Sequence, residues 1–251
     1  MLLLRTIIMK IIILTLVVCI FFFGKCIEPK QSVSATASDA IYTYRTPSAD
    51  GTGKYYMGRE IAHIMSAAGA QWLERNERQH EENTNMAIER MALPSNAVVA
   101  DIGAGTGYYT FKIAPRVPKG KVYAVEVQDE MISYIANRIT KAERKNVEVI
   151  KGSNTSVNLP PASVDLAIMV DVYHELAFPH EVLQSIRKAL KPAGKVLLLE
   201  YRGEDPAVPI KPLHKTTVQQ LNKEFAANGF KLFYTGEFLP MQHFLQYQIS
   251  K

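Results

Sequence analysis

The residues best suited to chemistry form a glycine-rich turn behind a short apolar segment. Residues 97–100 are apolar and favour a buried strand, and Asp101 and three alternate glycines, Gly103, Gly105 and Gly107, follow directly. Glycine lets the backbone turn sharply and lets a ligand approach main-chain N–H groups, because no Cβ stands in the way. A helix that begins here would direct its positive N-terminal dipole toward the same place. The turn therefore predicts a site for a nucleotide-like ligand.

Further polar residues stand where the next strands are predicted to end. Glu126 ends the second strand, about twenty residues beyond the glycines, and an acid there commonly accepts hydrogen bonds from two ribose hydroxyls. Ligands of an open parallel sheet bind outside the carboxyl ends of its strands, so we expect the polar residues at these ends to share one site. They are Glu126, Ser153 and Asn154, Asp171, and Glu200.

Strands and helices alternate from residue 98 onward and predict an α/β fold. Short turns between them indicate a doubly wound, mostly parallel seven-stranded sheet with helices on both faces. The last two strands have no helix between them and predict an antiparallel C-terminal hairpin. The predicted strands are residues 98–102, 121–127, 147–151, 164–170, 194–200, 230–237 and 244–249, and the predicted helices are residues 108–114, 130–144, 180–190 and 216–228.

The first part of the chain has a different character. An uncharged apolar run, Ile11–Phe23, follows Lys10 and predicts a secretory signal peptide or an N-terminal membrane anchor. Next comes a stretch rich in small and polar residues, which predicts a linker, and then apolar residues at helical spacing, which predict a helical cap. The predicted organisation is a leader over 1–26, a linker over 27–54, a cap over 55–94 and the α/β domain over 95–251.

Composition limits the classes of function. Both cysteines, Cys19 and Cys26, lie in the leader, so the domain has no disulfide framework and no thiolate nucleophile. The formal net charge of +5 falls further without the basic residues of the leader, and this near balance does not favour nucleic acid as a partner. The leader indicates export to the periplasm or anchoring in the membrane, whether it is cleaved, lipidated or retained.

Four ordered motifs resemble those of class I S-adenosylmethionine-dependent methyltransferases. They are the glycine turn, the strand that ends in Glu126, and residues 163–166 and 190–197, and the resemblance covers about residues 95–200. It extends to exported or membrane-associated bacterial members of the type 11 methyltransferase group, and it implies a Rossmann-like fold and S-adenosyl-L-methionine as cofactor. A dinucleotide oxidoreductase is the rival interpretation, but its fingerprint is G-x-G-x-x-G, whereas the third glycine here comes one residue earlier.

The resemblance also implies which residues bind the cofactor. The glycines are expected to line its methionine moiety, Asp101 to order the turn and the amino group, and Glu126 to bind the ribose. Apolar residues after the second strand would flank the adenine, and Ser153 and Asn154 replace the aspartate usual at the adenine edge. The expected cofactor residues are Asp101, Gly103, Gly105, Gly107, Glu126, Val127, Met131, Ser153, Asn154 and Asp171.

The acceptor is expected at the end of the fourth strand. Methyl transfer needs an acceptor placed in line with the activated methyl group, and a base only if the nucleophile must lose a proton. Asp171, Tyr173 and His174 are the candidate catalytic residues, the last two to orient or deprotonate the acceptor. A histidine bonded to backbone at a helix start is the alternative for His174. Residues 200–202 are a second candidate for the acceptor site, or a salt-bridged strand terminus.

Three further expectations concern a lid over the pocket, a structural metal and the methyl acceptor. Tyr55–Glu60 is expected to cover the pocket as a lid, with Arg59 either on the cofactor carboxylate or paired at the surface. The histidines show no recognisable ligand spacing, so no structural metal is predicted. The acceptor is expected to be a small molecule rather than a protein, and a non-catalytic cofactor-binding protein of the same fold is the second hypothesis.

Overall fold

A computed structural model describes residues 41–250. The predicted leader, both cysteines and the first half of the predicted linker lie outside the described residues. Among the helices that are described, none combines the length and the apolar character needed to cross a membrane.

The centre of the fold is a seven-stranded sheet with the strand order β6-β5-β4-β7-β8-β10-β9. The first five strands in this order are parallel, and β10 pairs antiparallel with both β8 and β9. This confirms the predicted doubly wound sheet and its C-terminal hairpin. The strands are β4 (Val98–Ile102), β5 (Lys121–Glu126), β6 (Val147–Lys151), β7 (Val164–Val170), β8 (Leu190–Tyr201), β9 (Phe230–Gly236) and β10 (Gln242–Ile249).

Helices cover both faces of this sheet. In β8, Val196 and Leu198 pack into the core on one face, and Leu197 and Leu199 pack into the core on the other. Because successive side chains of a strand point to opposite faces, a strand buried on both sides has a continuous apolar sequence. The helices are α1 (Ala70–Leu73), α2 (Arg78–Glu82), α3 (Thr84–Arg90), α4 (Tyr108–Ile113), α5 (Asp129–Ala142), α6 (Pro179–Ala189) and α7 (Val218–Ala227).

The structure corrects the expected linker and the start of the helical cap. Residues 42–62 form a three-stranded antiparallel sheet of β1 (Tyr42–Tyr44), β2 (Gly51–Tyr56) and β3 (Arg59–Ala62). Tyr42, Tyr56 and Ile61 pack together with the partly buried Phe178. Aromatic and β-branched residues favour a pleated, half-buried surface, and this packing outweighs the helical spacing of the apolar residues. Helices α1 to α3 lie within the remainder of the predicted cap.

A buried ion pair joins the β2–β3 hairpin to α7. The Arg59 guanidinium donates two hydrogen bonds to the Glu224 carboxylate, at 2.8 and 2.9 Å, and the Tyr173 hydroxyl donates a third at 2.7 Å. Burial alone lowers the pKa of Arg59, but the Glu224 carboxylate outweighs burial and raises this pKa above its usual range. The Glu224 side chain has no exposed surface, so it depends on this cation for compensation.

Arg59→Met should destabilise the fold, because it leaves the Glu224 carboxylate buried without a cation. We expect the free energy of unfolding to fall by about 3–5 kcal/mol, measured by urea denaturation followed by circular dichroism. Lys121→Met is the matched control, since Lys121 pairs with Glu148 on the exposed surface, and it should change stability by less than about 1 kcal/mol. Equal effects of the two substitutions would contradict the structural role given to Arg59.

Candidate cofactor and acceptor site

A cleft with about 960 Å³ of empty space lies at the carboxyl ends of β4 and β5, and the glycine turn forms one wall. Gly103 and Gly105 line it with φ of +69° and +56°. A Cβ on Gly103 would lie 2.6 Å from Val172 Cγ1, and a Cβ on Gly105 would lie 2.7 Å from Leu73 Cδ1. Both positions therefore require glycine for backbone conformation, and Gly103 requires it for space as well.

Gly107 does not line the cleft, although the sequence predicted that it would. It precedes α4 with φ of +81°, and it is not among the residues that line the cleft. Its conformation lets the chain enter the helix, so the structure assigns it to the shape of the turn rather than to ligand contact.

Glu126 holds the turn through both carboxylate oxygens. One oxygen accepts a hydrogen bond from Gly105 N at 2.8 Å, and the other accepts bonds from Val127 N and Gln128 N at 2.6 and 2.9 Å. An ionised carboxylate has about four acceptor positions, so three backbone donors leave capacity for a ligand hydroxyl. The Glu126 residue is 4% exposed and lines the cleft.

The opposite wall of the cleft is mostly apolar. Val127 and Met131 lie there, and Ser153 adds a hydroxyl at the edge. Asn154 is exposed and is not among the lining residues, so the structure does not bring it into the site. A flat ring between apolar side chains with one polar group at its edge fits this wall.

The remaining end of the cleft carries buried polar groups. Asp101 is 3% exposed and accepts a hydrogen bond from Thr110 Oγ1 at 2.6 Å; burial raises the pKa of Asp101 to about 6. The buried Tyr109 hydroxyl has no hydrogen-bond partner among the described residues. Arg78 also lines the cleft, with its guanidinium carbon 5.4 Å from the centre of the Tyr109 ring. Arg78 Nε donates to Glu82 Oε2 at 2.6 Å and its Nη1 donates to Leu73 O at 3.0 Å, which leaves other donors of the guanidinium for a ligand. These donors and the Tyr109 hydroxyl suit the carboxylate of an amino-acid tail.

The residues that line the cleft fit S-adenosylmethionine. The turn at Gly103 and Gly105 tolerates no side chain, Glu126 retains acceptor capacity for a ribose, and the apolar wall suits an adenine. The orphaned Tyr109 hydroxyl and Arg78 suit the methionine carboxylate. Each chemical part of the cofactor therefore has a complementary group in the cleft.

Residues 64–74, here called the covering segment, close the cleft from outside. The backbone of Met65 donates to Glu175 Oε2 at 3.1 Å and accepts from Gln128 Nε2 at 3.0 Å. At the other end, Glu74 Oε1 accepts hydrogen bonds from Thr106 Oγ1 and from Arg138, both at 2.6 Å. The segment is thus tied at both ends to the elements that form the cleft.

The expected lid, Tyr55–Glu60, is therefore wrong in its position. These residues form the β2–β3 hairpin, and none of them lines the cleft. Arg59 is bound to Glu224 and meets neither the cofactor cleft nor open surface. Sequence reasoning found the right part of the chain for a cover but placed it about ten residues too early.

A second cavity, here called the acceptor cavity, has about 1190 Å³ of empty space and adjoins the cleft. Asp171 and Glu175 line both. Both oxygens of the Asp171 carboxylate accept from Gln242 Nε2, at 2.9 and 2.8 Å. Burial, and then the nearby Glu82 and Glu200 carboxylates, raise the pKa of Asp171 well above its usual range. The structure thus places Asp171 where the two cavities meet.

His174 lines the acceptor cavity and is almost fully buried. Its Nδ1 lies 2.7 Å from Glu200 Oε2, and its Nε2 lies 3.1 Å from His214 Nδ1. Burial alone lowers the pKa of this imidazole, but the carboxylates of Glu200 and Glu175 outweigh burial and raise the pKa to about 10. The alternative of a ring bonded to backbone is wrong, because both ring nitrogens face side chains.

Two other candidates for the acceptor site need correction. Tyr173 is fully buried, its hydroxyl donates to Glu224, and it lines neither cavity, so it supports the core instead of meeting an acceptor. Of residues 200–202, Tyr201 lines the acceptor cavity and Glu200 supports His174 from behind. Arg202 donates to the backbone oxygens of Leu239 and Pro240, away from both cavities.

The structure adds residues that sequence reasoning missed. Glu175 follows His174 directly, and its carboxylate faces the same cavity. His214 lies 40 positions further along the chain and meets His174 only in the fold. Arg78 and Tyr109 belong to helices whose sequences carry no ligand motif. For His214 and Arg78 the linear sequence gives no signal, because their relation to the site is one of tertiary contact, whereas Glu175 and Tyr109 adjoin predicted site residues in the sequence.

Glu74→Ala should loosen the covering segment, because Thr106 and Arg138 lose their common acceptor. We expect faster backbone hydrogen exchange over residues 64–74, with no change in the sheet, measured by mass spectrometry. Glu77→Ala is the matched control, since the exposed Glu77 has no side-chain hydrogen bond at its helix start. Unchanged exchange in Glu74→Ala would contradict the anchoring of the segment by Glu74.

Comparison with known proteins gives a consistent result. A family model described as a methyltransferase domain matches residues 93–244. A methyltransferase-like protein of Schizosaccharomyces pombe is 29% identical over 50% of this chain and 46% of its own length. The demethylmenaquinone methyltransferase of Lactococcus lactis is 25% identical over 53% of this chain and 52% of its own length. The chain thus spans about half the length of these two relatives.

A solved structure supports the same fold. The S-adenosylmethionine-dependent methyltransferase of Aquifex aeolicus aligns with a TM-score of 0.70 and 24% identity, over 74% of this chain and all of that one. The family match covers more than half of the chain and includes the glycine turn, Glu126 and Asp171. The chain therefore belongs to the methyltransferase domain family and, within it, to the class I S-adenosylmethionine-dependent methyltransferases.

Proposed function

We propose that this protein transfers the methyl group of S-adenosylmethionine to a small, largely apolar acceptor bound in the acceptor cavity. The observation that carries the proposal is the common wall of the two cavities, where Asp171, Glu175 and Arg78 lie together with Ile64, Met65 and Leu73 of the covering segment. A transfer reaction needs its two substrates in adjoining sites, and the cofactor cleft opens beside a cavity large enough for a small molecule.

The residues of this chain contribute binding and position. When bound, the cofactor supplies a methyl group already activated by a sulfonium. Glu126 is suited to hold the ribose end, and Arg78 with Tyr109 is suited to hold the carboxylate end. The covering segment shields the cleft from water. Holding two reactants in line supplies much of the rate of such a displacement, so the chain needs no covalent intermediate.

The lining of the acceptor cavity favours an apolar, ring-bearing acceptor. Trp72, Ile64 and Ile210 supply apolar surface. The arginine and lysine side chains there are already paired, since Arg75 and Arg78 bond to Glu82 and Lys211 bonds to Asp50. With its charges compensated, the cavity does not select a strongly charged ligand. The name of the Lactococcus lactis relative, a demethylmenaquinone methyltransferase, supports an acceptor of this ring-bearing kind.

A direct test is calorimetric titration of the purified protein with S-adenosylmethionine and S-adenosylhomocysteine, followed by a transfer screen with labelled cofactor. We expect both cofactor forms to bind, and label to pass to a component of small-molecule or membrane extracts. Absence of binding would exclude the enzyme. Binding without transfer to any extract would favour the second hypothesis, a non-catalytic cofactor-binding protein.

Glu126→Ala should weaken cofactor binding, because the ribose loses a charged acceptor. Hydrogen bonds to charged groups contribute about 1.5–3 kcal/mol, so we expect S-adenosylhomocysteine to bind roughly 10- to 150-fold more weakly by calorimetry. Glu130→Ala is the matched control, since Glu130 is exposed in the first turn of α5 and does not line the cleft. Equal affinity of the two variants would show that the ribose lies elsewhere.

We also propose that residues 1–26 export the protein or anchor it to the membrane, and that nucleic acid is not its partner. The support is the uncharged run Ile11–Phe23 behind Lys10 and the modest net charge. N-terminal sequencing of the protein from fractionated cells tests the location. A start beyond residue 26 in the exported fraction is the expected result for cleavage, and an intact start in the membrane fraction is the result for anchoring. An intact protein in the cytosolic fraction would contradict both.

A further inference from the structure

Three potential metal ligands meet on the wall of the acceptor cavity. They are His174 Nε2, His214 Nδ1 and Glu175 Oε1, and they form the group of possible ligands found among residues 41–250. The two histidine nitrogens are 3.1 Å apart, and the carboxylate oxygen lies 3.7 Å from His174 Nε2 and 3.6 Å from His214 Nδ1. The three atoms form a small triangle that faces the cavity.

The distances between these three atoms match those between ligand atoms around one metal ion. Zinc binds histidine nitrogen and carboxylate oxygen at about 2.0–2.2 Å, and tetrahedral geometry then places the ligand atoms about 3.4 Å apart. The three observed separations lie on either side of that value. Two histidines and one carboxylate are the donor set of zinc and of non-haem iron sites, whereas magnesium and calcium prefer oxygen ligands alone.

The groups behind the triangle orient its members. His174 Nδ1 faces Glu200, whose carboxylate also accepts from Val172 N and Tyr173 N at 3.0 and 2.8 Å. A histidine that donates its second nitrogen to a carboxylate is the usual support of a metal ligand. Glu175 Oε2 is bound by Met65 N, which leaves Oε1 for the triangle.

We propose that His174, Glu175 and His214 bind a divalent transition-metal ion at the junction of the cofactor cleft and the acceptor cavity. Three protein ligands leave at least one coordination position open, as in catalytic metal sites. All three residues line the acceptor cavity, and Glu175 also lines the cofactor cleft.

The position of the metal ion limits the chemical class of the methyl acceptor, and this part of the inference rests on the proposed function. The acceptor carries a hydroxyl that ligates the metal through oxygen, because a bound metal lowers the pKa of such a group. The hydroxyl proton passes to solvent, and the oxygen attacks the methyl carbon. A C–O bond forms as the C–S bond breaks, and its electron pair stays on sulfur. The products are a methyl ether and S-adenosylhomocysteine.

The test is metal binding without cofactor or acceptor. The full chain is treated with a chelator, Cys19 and Cys26 are alkylated to exclude thiolate ligands, and Zn²⁺ alone is titrated by calorimetry. Co²⁺ provides a second measurement through its visible absorption, which reports the ligand set. We expect one ion per chain with a Kd below about 1 µM for Zn²⁺.

His214→Ala and Glu175→Gln should each weaken binding by at least about 100-fold, since loss of an outer partner alone costs about 10- to 100-fold. The His214 side chain is 24% exposed, so its loss should leave the fold intact by circular dichroism. His63→Ala is the matched control, because His63 is exposed on the same cavity outside the triangle. It should change Kd by less than about threefold.

Two outcomes would overturn the site: no saturable binding by the wild type below about 100 µM, or equal affinity of folded His214→Ala and the wild type. Titration with S-adenosylhomocysteine on the same samples separates this inference from the proposed function. Cofactor binding without metal binding refutes the metal site alone. Metal binding without cofactor binding refutes the methyl transfer and leaves the metal site standing.

Discussion

One buried carboxylate, Glu200 at the end of β8, ties together the parts of the acceptor site. It has no exposed surface, and its compensation comes from two backbone N–H groups after β7 and from the His174 ring. A buried charge is costly unless every acceptor position finds a donor. The chain after β7 therefore follows the path on which the Glu200 carboxylate finds its hydrogen-bond donors. This path places His174 and Glu175 on the wall of the acceptor cavity.

Apolar packing and buried charges both attach the N-terminal part of the described chain to the sheet, and Ala87, Ile88 and Met91 supply the apolar part. Glu82, without exposed surface, accepts from Arg78 and Arg75 at 2.6 and 2.8 Å and from the Tyr201 hydroxyl at 3.0 Å. The pair of Arg59 and Glu224 does the same for the hairpin. An apolar contact tolerates sliding, whereas an ion pair fixes partner and direction. These pairs hold the residues before and after the covering segment, which itself is held by the partly exposed ion pair of Glu74 with Arg138 and by the hydrogen bonds of Met65.

The parts of the site therefore differ in how firmly they are held. The glycine turn, Glu126 and the ends of β7 and β8 belong to the sheet and its buried network, while residues 64–74 carry the exposed Trp72 and Ile64. A ligand that enters between the sheet and the covering segment requires only the covering segment to move. Low local stability is usual for elements that open over a binding site.

The sequence by itself determined the sheet, the order of its strands along the chain and the class of cofactor. Continuous apolar strands, glycines at 103 and 105 and the acid at 126 are local patterns, because each depends on neighbours within a few residues. It did not determine the β1–β3 sheet, whose tyrosines are stabilised by Phe178 more than a hundred positions away. Tertiary structure alone decided that Gly107 shapes a turn, that Tyr173 supports the core and that His214 meets His174. Such contacts join residues distant in sequence, and no periodicity or spacing records them.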